Sequence, residues 1–294
     1  MIYRFIRDHR SEHGVQKMCC VLNVSRSAYY DWVGRGPSAR ELENARMLKA
    51  ILSIHQDPRT DSYGSPRMAV ELHARGIPCS APRVARLMKA HGIRAQRKEH
   101  CKVTTNSKHH EPIAPNLLHQ DFTAEAPKRK WVSDLTYIWT LQGWLYLTII
   151  LDLFDRRIVG WALSERMHSQ VTTVAALEDA VRREHPAPGL LFHSDRGSQY
   201  ASKDFRTLLS KHKMTQSMSG KGHCYDNAVA ESFFRTLKSE LIYRITLATR
   251  QAARLRIFEF IEITYNRFRR HSTLGYLSPM DYLNNYVKSR KHAA

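Results

Sequence analysis

Three runs in the middle of the chain, "KWVSDLTYIWT", "WLYLTIILDLFD" and "RIVGWALS", constrain the fold more than any other feature. Each is rich in aromatic and β-branched residues, and Gln142-Gly143 makes a turn between the first two. Such runs predict three strands in a hairpin meander. "TTVAALEDAVRREH" then reads as a helix, and "GLLFHSD" is almost wholly apolar, as a strand covered on both faces should be. "KDFRTLLSKHK" predicts a helix, "MTQSMS" a short strand and "GKGHCYDN" a loop. "AVAESFFRTLKSELI" predicts a strong helix capped by Asp226 or Asn227. The order βββαβαβα predicts an α/β domain, a mixed five-stranded sheet with helices on its faces.

The carboxylates of this domain are oddly placed. Asp134 lies inside an aromatic strand, where Asp is disfavoured. Asp195 ends the apolar fourth strand, and Glu231 lies in the first turns of a helix, with Arg235 and Lys238 on the same face. There are 60 residues between Asp134 and Asp195 and 35 between Asp195 and Glu231. Three carboxylates on neighbouring elements can bind two Mg²⁺ ions, which take oxygen ligands and keep positions open for water and phosphate. A metal pair of that kind clamps the attacking and leaving oxygens of an in-line phosphoryl transfer, and no protein nucleophile is needed. Lys221 and His223 in the preceding loop could reach the same DNA strand as Arg235 and Lys238; ordinary helix-surface charge is the plainer reading of each cation. Among rival carboxylates, Asp152 is expected beside this site in a structural role, Asp155 as a turn residue, Asp121 as a linker-side charge and Asp226 as an N-cap. His193 is expected to be packed or hydrogen-bonded. Asn227 is expected to hold the loop or touch DNA, and Gln199 and Tyr200 are candidate DNA contacts.

The net charge of +19 implies a polyanionic partner, most simply nucleic acid. Ribosomal and membrane-surface proteins are the competing classes at this charge. Residues 1–110 hold 20 Lys/Arg against 9 Asp/Glu, residues 111–240 hold 16 against 15, and residues 241–294 hold 10 against 3. A near-neutral middle between basic flanks suggests DNA-gripping arms around a centre that needs its carboxylates. The N-terminal arm carries two pairs of short helices. The first pair lies in "GVQKMCCVLNVSRSAYYDWV", where Ser25 or Ser27 can cap the second helix. Next, Leu42, Ala45, Leu48 and Leu52 recur at helical spacing and predict a core-facing stripe. In "YGSPRMAVELHARGIPCSAPRVARLMKAHGIRAQRK", Ser65 and Ser80 are the expected caps and Gly76 and Gly92 the stops. The apolar faces are Met68 with Leu72, and Val84 with Leu87 and Met88; Arg83, Arg86 and Lys89 line the opposite side. A tight helix pair with a basic second helix predicts a DNA-reading module.

Five cysteines, an odd number with no CxxC, predict free thiols in a reducing cytoplasm. The cluster His100, Cys101, His109 and His110 fits no usual zinc spacing. "MIYRFIRDHR" has no apolar core, so no signal peptide is expected, and "GWLYLTIILDLF" is too short to span a bilayer. The expected divisions are a helix–turn–helix-like segment (1–50), a second helical DNA-binding module (51–98), a basic linker (99–116), a catalytic core (117–243) and a basic C-terminal helical extension (244–294).

"WVSDLTYI", "LDLFDRRIVGWAL", "HSDRGSQYAS" and "DNAVAESFFRTLKSEL" closely resemble the catalytic domain of bacterial insertion-sequence transposases. These are retroviral-integrase-like Asp-Asp-Glu enzymes with an RNase H-like fold. "YNRFRRHSTLGYLSPMDY" resembles their C-terminal signature, and "YGSPRMAVELHARGI" and "VSRSAYYDWV" resemble their upstream helical modules. The resemblance puts the catalytic and metal-binding triad on Asp134, Asp195 and Glu231. It implies Mg²⁺- or Mn²⁺-dependent strand cleavage at an element's ends, then attack of the freed 3′-hydroxyl on a new phosphodiester. It implies a homo-multimer that holds the terminal inverted repeats and target DNA, in the bacterial cytoplasm at the nucleoid. The chain resembles a second-reading-frame product. The first frame of that family supplies a leucine zipper, and this chain has no heptad run long enough for one, so the upstream-frame protein is an expected partner or fusion. The alternatives are a non-catalytic DNA-binding regulator and an RNase H-like nuclease that cuts without joining.

Overall fold

The computed structural model describes residues 2–95, 111–220 and 224–292. The N-terminal arm is helical: α1 (Ile2–Asp8), α2 (Val15–Val21), α3 (Arg26–Gly34), α4 (Ala39–Gln56), α5 (Ser65–Ala74) and α6 (Ala81–Ala90). Ser25 caps α3 by accepting from the Ala28 amide. Ser38 and Glu41 form a reciprocal capping box that starts α4. Ser80 caps α6 as its sequence predicts. Ser65 does not cap α5: it is the first helical residue, and Gly64 holds the cap position without a side-chain bond. The expected core stripe of α4 is also displaced. Leu42 and Leu52 are exposed, and Met47, Ile51 and Ile54 turn inward against Met68, Leu72, Val84 and Met88. The stripe is shifted by about one residue, and of the expected positions Leu48 remains half-buried against this core.

The central sheet has five strands in the order β3-β2-β1-β4-β5. They are β1 (Lys130–Thr140), β2 (Gly143–Asp152), β3 (Ile158–Ser164), β4 (Leu191–Ser194) and β5 (Thr215–Met218). β1, β2 and β3 form the expected antiparallel meander, and β4 and β5 add in parallel on the other side of β1. Strict alternation divides the sheet into two faces. Val132, Asp134, Ile138, Leu145, Leu147, Ile149 and Leu151 belong to one face. It is covered by α10 (Ala228–Glu240), α11 (Arg250–Phe258) and a π-helical continuation (Glu259–Phe268), through Phe233, Phe234, Leu237, Ile257, Ile261 and Tyr265. Trp131, Ile150 and Phe192 belong to the other face, covered by α7 (Thr173–Glu184), α8 (Ser198–Ala201) and α9 (Lys203–Lys211). A last helix, α12 (Pro279–His292), brings Tyr282 and Tyr286 onto Phe154. The segment expected as a C-terminal extension therefore shares a core with the sheet, through Leu247, Ala253, Ile257 and Phe260.

The second helical module docks on this C-terminal part through ion pairs. Arg67 of α5 lies 3.9 Å from the Glu240 carboxylate, which also makes a buried bidentate pair with Arg269 at 2.8 and 2.7 Å. Arg244 pairs with Asp61, and Arg270 reaches Glu71 at 2.8 Å. The Tyr63 hydroxyl accepts from the Arg270 amide at 3.1 Å. Of the expected linker, residues 99–110 lie outside the described residues. Residues 114–118 lie along β5: the Met218 amide donates to Pro115 and the Leu117 amide to the Ser217 hydroxyl.

Gly160 marks the tightest packing of sheet against helix. A Cβ there would lie 2.5 Å from the Ala180 Cβ and 2.7 Å from the Ala176 carbonyl oxygen. Gly160→Ala is expected to force β3 and α7 apart and to lower unfolding stability by about 1–3 kcal/mol, as measured by urea denaturation.

Candidate catalytic site

The β1–β4 register brings the first two carboxylates together. The parallel pairing runs from Lys130↔Leu191 to Ser133↔Ser194 and stops. Asp134 and Asp195 are the next residues on their chains, so they emerge side by side, with Asp195 one residue beyond the strand it was expected to end. Asp134 belongs to the face covered by α10. Ala230, Phe233, Phe234 and Leu237 anchor that helix in the core, which leaves Glu231 in its first turn on the accessible flank.

Asn227 holds the cap position of α10 as expected, but it makes no side-chain cap bond. The Asn227 amide instead donates to the Ser133 carbonyl at 3.0 Å, tying α10 to β1 immediately before Asp134. The Asn227 Oδ1 is buried with no partner among the described residues. The buried Asp226 carboxylate accepts from Asn116 at 2.9 Å, Gln120 at 2.8 Å and the Gly220 amide at 2.7 Å. Asp226 is thus the hub that joins the segment before β1 to the loop before α10. An adjacent Asp-Asn pair was legible in sequence as a cap signal; its use as a tertiary clamp was not.

The three carboxylates share one electrostatic field. Burial pushes the Asp134 carboxyl well above the usual carboxylate range, and the charges of Asp195 and then Glu231 push it further. The Leu135 amide, which donates to Asp134 at 2.8 Å, and Lys238 work in the opposite direction. Glu231 is raised by desolvation, with Arg235 lowering and Asp195 raising it. Asp195 accepts from the Gly197 amide at 3.0 Å, a tight turn that sets its carboxylate at the strand tip. An all-oxygen, anionic donor set of this kind fits a hard divalent cation such as Mg²⁺ or Mn²⁺. Among the described residues, no three His, Cys, Asp or Glu side chains are grouped closely enough to hold an ion. The arrangement is a set of facing carboxylates rather than a closed coordination shell.

The other expected site residues fall in several places. Arg235 is exposed one turn beyond Glu231, and Lys238 is half-buried on the following turn. Lys221 and His223 lie outside the described residues, as does the cluster His100, Cys101, His109 and His110. On α6, Arg86 and Lys89 are exposed, whereas Arg83 is held against α4 by Asn44 at 2.8 Å and Glu43 at 3.0 Å. Tyr200 is buried, with its hydroxyl on Ser133 at 2.8 Å, so it is a core residue and not a surface contact. Gln199 is half-buried. His193 is buried between the Ser217 and Ser219 hydroxyls, and burial lowers its pKa to about 4, so it stays neutral. Asp152 is not beside the site: it pairs with Trp131, three positions along β1 from Asp134 and on the opposite face. Its carboxylate accepts from the Lys128 amide at 2.7 Å, the Trp131 indole at 3.1 Å and the Phe154 amide at 2.9 Å, a purely structural role. Asp155 is more than a turn residue, since it is buried and pairs with Arg157, which also binds Glu184. Asp121 pairs with Lys130 at 2.6 Å.

A carboxyl whose pKa is raised by folding stabilises the native state below the ordinary Asp value of about 4 and loses that contribution as pH rises through the folded value. Asp134→Asn is therefore expected to raise the melting temperature of the metal-free protein at neutral pH. The gain should shrink toward zero as the pH approaches about 4. Thermal unfolding of both proteins across that range, in chelator, checks the sign.

The chain matches the Integrase core domain family over residues 124–224 and again over 212–279, and the HTH-like domain family over residues 41–100. It is 45% identical over 269 residues to the insertion element IS600 uncharacterized 31 kDa protein of Shigella sonnei, covering 92% of this chain and 98% of that one. It is 39% identical over 286 residues to the transposase InsF for insertion sequence IS3A of Escherichia coli, covering 97% of this chain and 99% of the relative. A simian T-cell lymphotropic virus intasome structure, in complex with the PP2A regulatory subunit B56 gamma, contains a chain that aligns at 14% identity with a TM-score of 0.47. The alignment covers 73% of this chain and 70% of that chain. The chain is a transposase with an integrase core, and it belongs to the family of the InsF transposases of IS3-type insertion sequences.

Proposed function

We propose that this transposase cuts DNA strands at the ends of an insertion sequence and joins the freed 3′-hydroxyl to a phosphodiester of target DNA. Asp134, Asp195 and Glu231 act together as the divalent-cation site. The observation that carries this reading is the β1–β4 register, which sets Asp134 level with Asp195, together with the charges of Asp195 and Glu231 that both act on Asp134. Bound Mg²⁺ or Mn²⁺, two ions in the full site, would activate the attacking oxygen and stabilise charge on the leaving oxygen. The protein's own part is positional. Asn227 and Asp226 hold α10 at the depth where Glu231 faces the strand ends. Arg235 and Lys238, which follow Glu231 along α10, would meet phosphates that flank the reacting one, and Lys221 is assigned the same role from its sequence position alone. In joining, the 3′-oxygen forms a bond to the target phosphorus, the bond from that phosphorus to the target's own 3′-oxygen breaks, the attacking hydroxyl gives its proton to solvent and the departing 3′-oxygen takes one from solvent.

The module of α4, α5 and α6 is assigned to duplex DNA, with exposed Arg86 and Lys89 as contacts and Arg83 as the residue that braces α6 on α4. Two element ends must be held at once, so the active species is a multimer, and the upstream-frame protein is its expected partner. The site of action is the nucleoid of a bacterial cell; no helix among the described residues is long and apolar enough to cross a membrane.

Purified protein, with and without the upstream-frame protein, is incubated with labelled duplexes bearing the terminal repeats, target DNA and Mg²⁺. Joined products are expected, and Glu231→Gln should lower their yield by about a hundredfold or more. Wild-type joining by Glu231→Gln would overturn the site. Nicks without joining would indicate a nuclease, and a gel shift without any product a regulator.

A further inference from the structure

The hairpin of β1 and β2 carries an exposed aromatic ladder that neither the fold nor the carboxylate site uses. In the antiparallel register Tyr137 faces Tyr146 and Trp139 faces Trp144. All four side chains belong to the sheet face opposite Asp134, beyond the part that α7 and α8 cover. Trp139 is 55% and Trp144 48% exposed, and Leu141 at the turn is 68% exposed. Large apolar side chains gathered at one exposed place signal a partner. The rings are already fixed against one another: Trp139 and Trp144 lie 4.9 Å apart at 70°, and Tyr137 and Tyr146 5.3 Å apart at 71°. The Tyr137 hydroxyl donates to the Met167 sulfur at 3.2 Å. Packing of this kind reduces the ordering cost of binding a flat ligand.

The position of the ladder identifies the ligand. β4 stops opposite Ser133, so β1 has an open edge from Asp134 onward, and Asp195 stands at that edge. The Asp195 charge reaches the phenol of Tyr137 as well as Asp134. At about 3.3 Å per residue, Tyr137 lies about 10 Å and Trp139 about 17 Å along the strand from Asp134, a few nucleotides from the reacting phosphate. Arg166, exposed beside Met167 at the same end, supplies positive charge for a phosphate backbone. Flat apolar rings beside cations are the chemistry that binds unpaired bases, because every base has a π-face to stack.

We propose that Tyr137, Trp139, Trp144 and Tyr146 form a stacking platform for unpaired nucleobases of the DNA strand held at the carboxylate site. The inference rests on the DNA-joining function proposed above. The platform takes single-stranded DNA in preference to closed duplex, and it holds the strand near the cut apart from its complement.

The test uses the full chain in EDTA, which separates strand binding from chemistry. A fluorescent thymidine dodecamer is titrated with wild type, Trp139→Ala, Trp144→Ala and Trp139→Phe, and a closed hairpin duplex is titrated in parallel. Each alanine variant is expected to weaken dodecamer binding by about tenfold while duplex binding holds. Trp139→Phe should retain most of the affinity. Unchanged dodecamer affinity in both alanine variants would overturn the platform. So would a fall in sedimentation mass without loss of dodecamer binding, which would make the patch a contact between copies of the chain. Loss of dodecamer binding in the alanine variants, in a protein that never joins DNA, would leave the platform standing and the joining function refuted.

Discussion

The parallel pairing of β1 with β4 is the constraint on which the rest of the site depends. Four residue pairs, Lys130↔Leu191 to Ser133↔Ser194, set two strand ends level. One residue of slip would turn Asp134 to the opposite face and separate it from α10. The register is held from both sides by buried groups. Trp131 and Phe192 pack under α7, α8 and α9, while Val132 packs under α10. Once the strands are level, two carboxylates must emerge together, and their repulsion follows from placement alone. The core stabilises an arrangement that electrostatics opposes, which is the usual condition of a site built to receive a cation.

A second set of charges joins the helical module to the catalytic core. Glu240, at the end of the same helix that presents Glu231, is shared by Arg269 and Arg67. Arg244, just beyond that helix, pairs with Asp61, and Arg270 pairs with Glu71. Leaving either member of the buried Arg269–Glu240 pair alone would cost about 3–5 kcal/mol. The module and α10 are therefore connected through a specific ionic surface, and the placement of Glu231 is coupled to the seating of the helices assigned to DNA.

Much of this was legible in the sequence, for physical reasons. The five strands read correctly because β-branched and aromatic runs were long, and turn residues separated them. The proposed carboxylate set was suggested by Asp134 inside an aromatic strand and Asp195 at the tip of an apolar one, whereas Glu231 in the first turn of a helix is a common position for an acidic residue and stood out only by its spacing. What failed was any inference that needed a side chain's direction. Ser65 and Asp226 had the chemistry of caps, but Ser65 sits inside α5, and Asp226 is used by Asn116, Gln120 and Gly220 from distant segments. Tyr200 followed the Arg-Gly-Ser turn closely enough to suggest the surface, yet α8 turns it inward onto Ser133. The stripe on α4 was misplaced because leucines at helical spacing marked one line while Met47, Ile51 and Ile54 marked another. Asp152 was legible as structural, but only the antiparallel register shows that it serves the opposite face.

The central claim is that Asp134, Asp195 and Glu231 act as one cation site. Titration of the intact protein with Mn²⁺, with free ion followed by electron paramagnetic resonance, tests it most directly. Saturable uptake by wild type is expected, weakened by each of Asp134→Asn, Asp195→Asn and Glu231→Gln and lost in the triple variant. Wild-type uptake by the triple variant would contradict it.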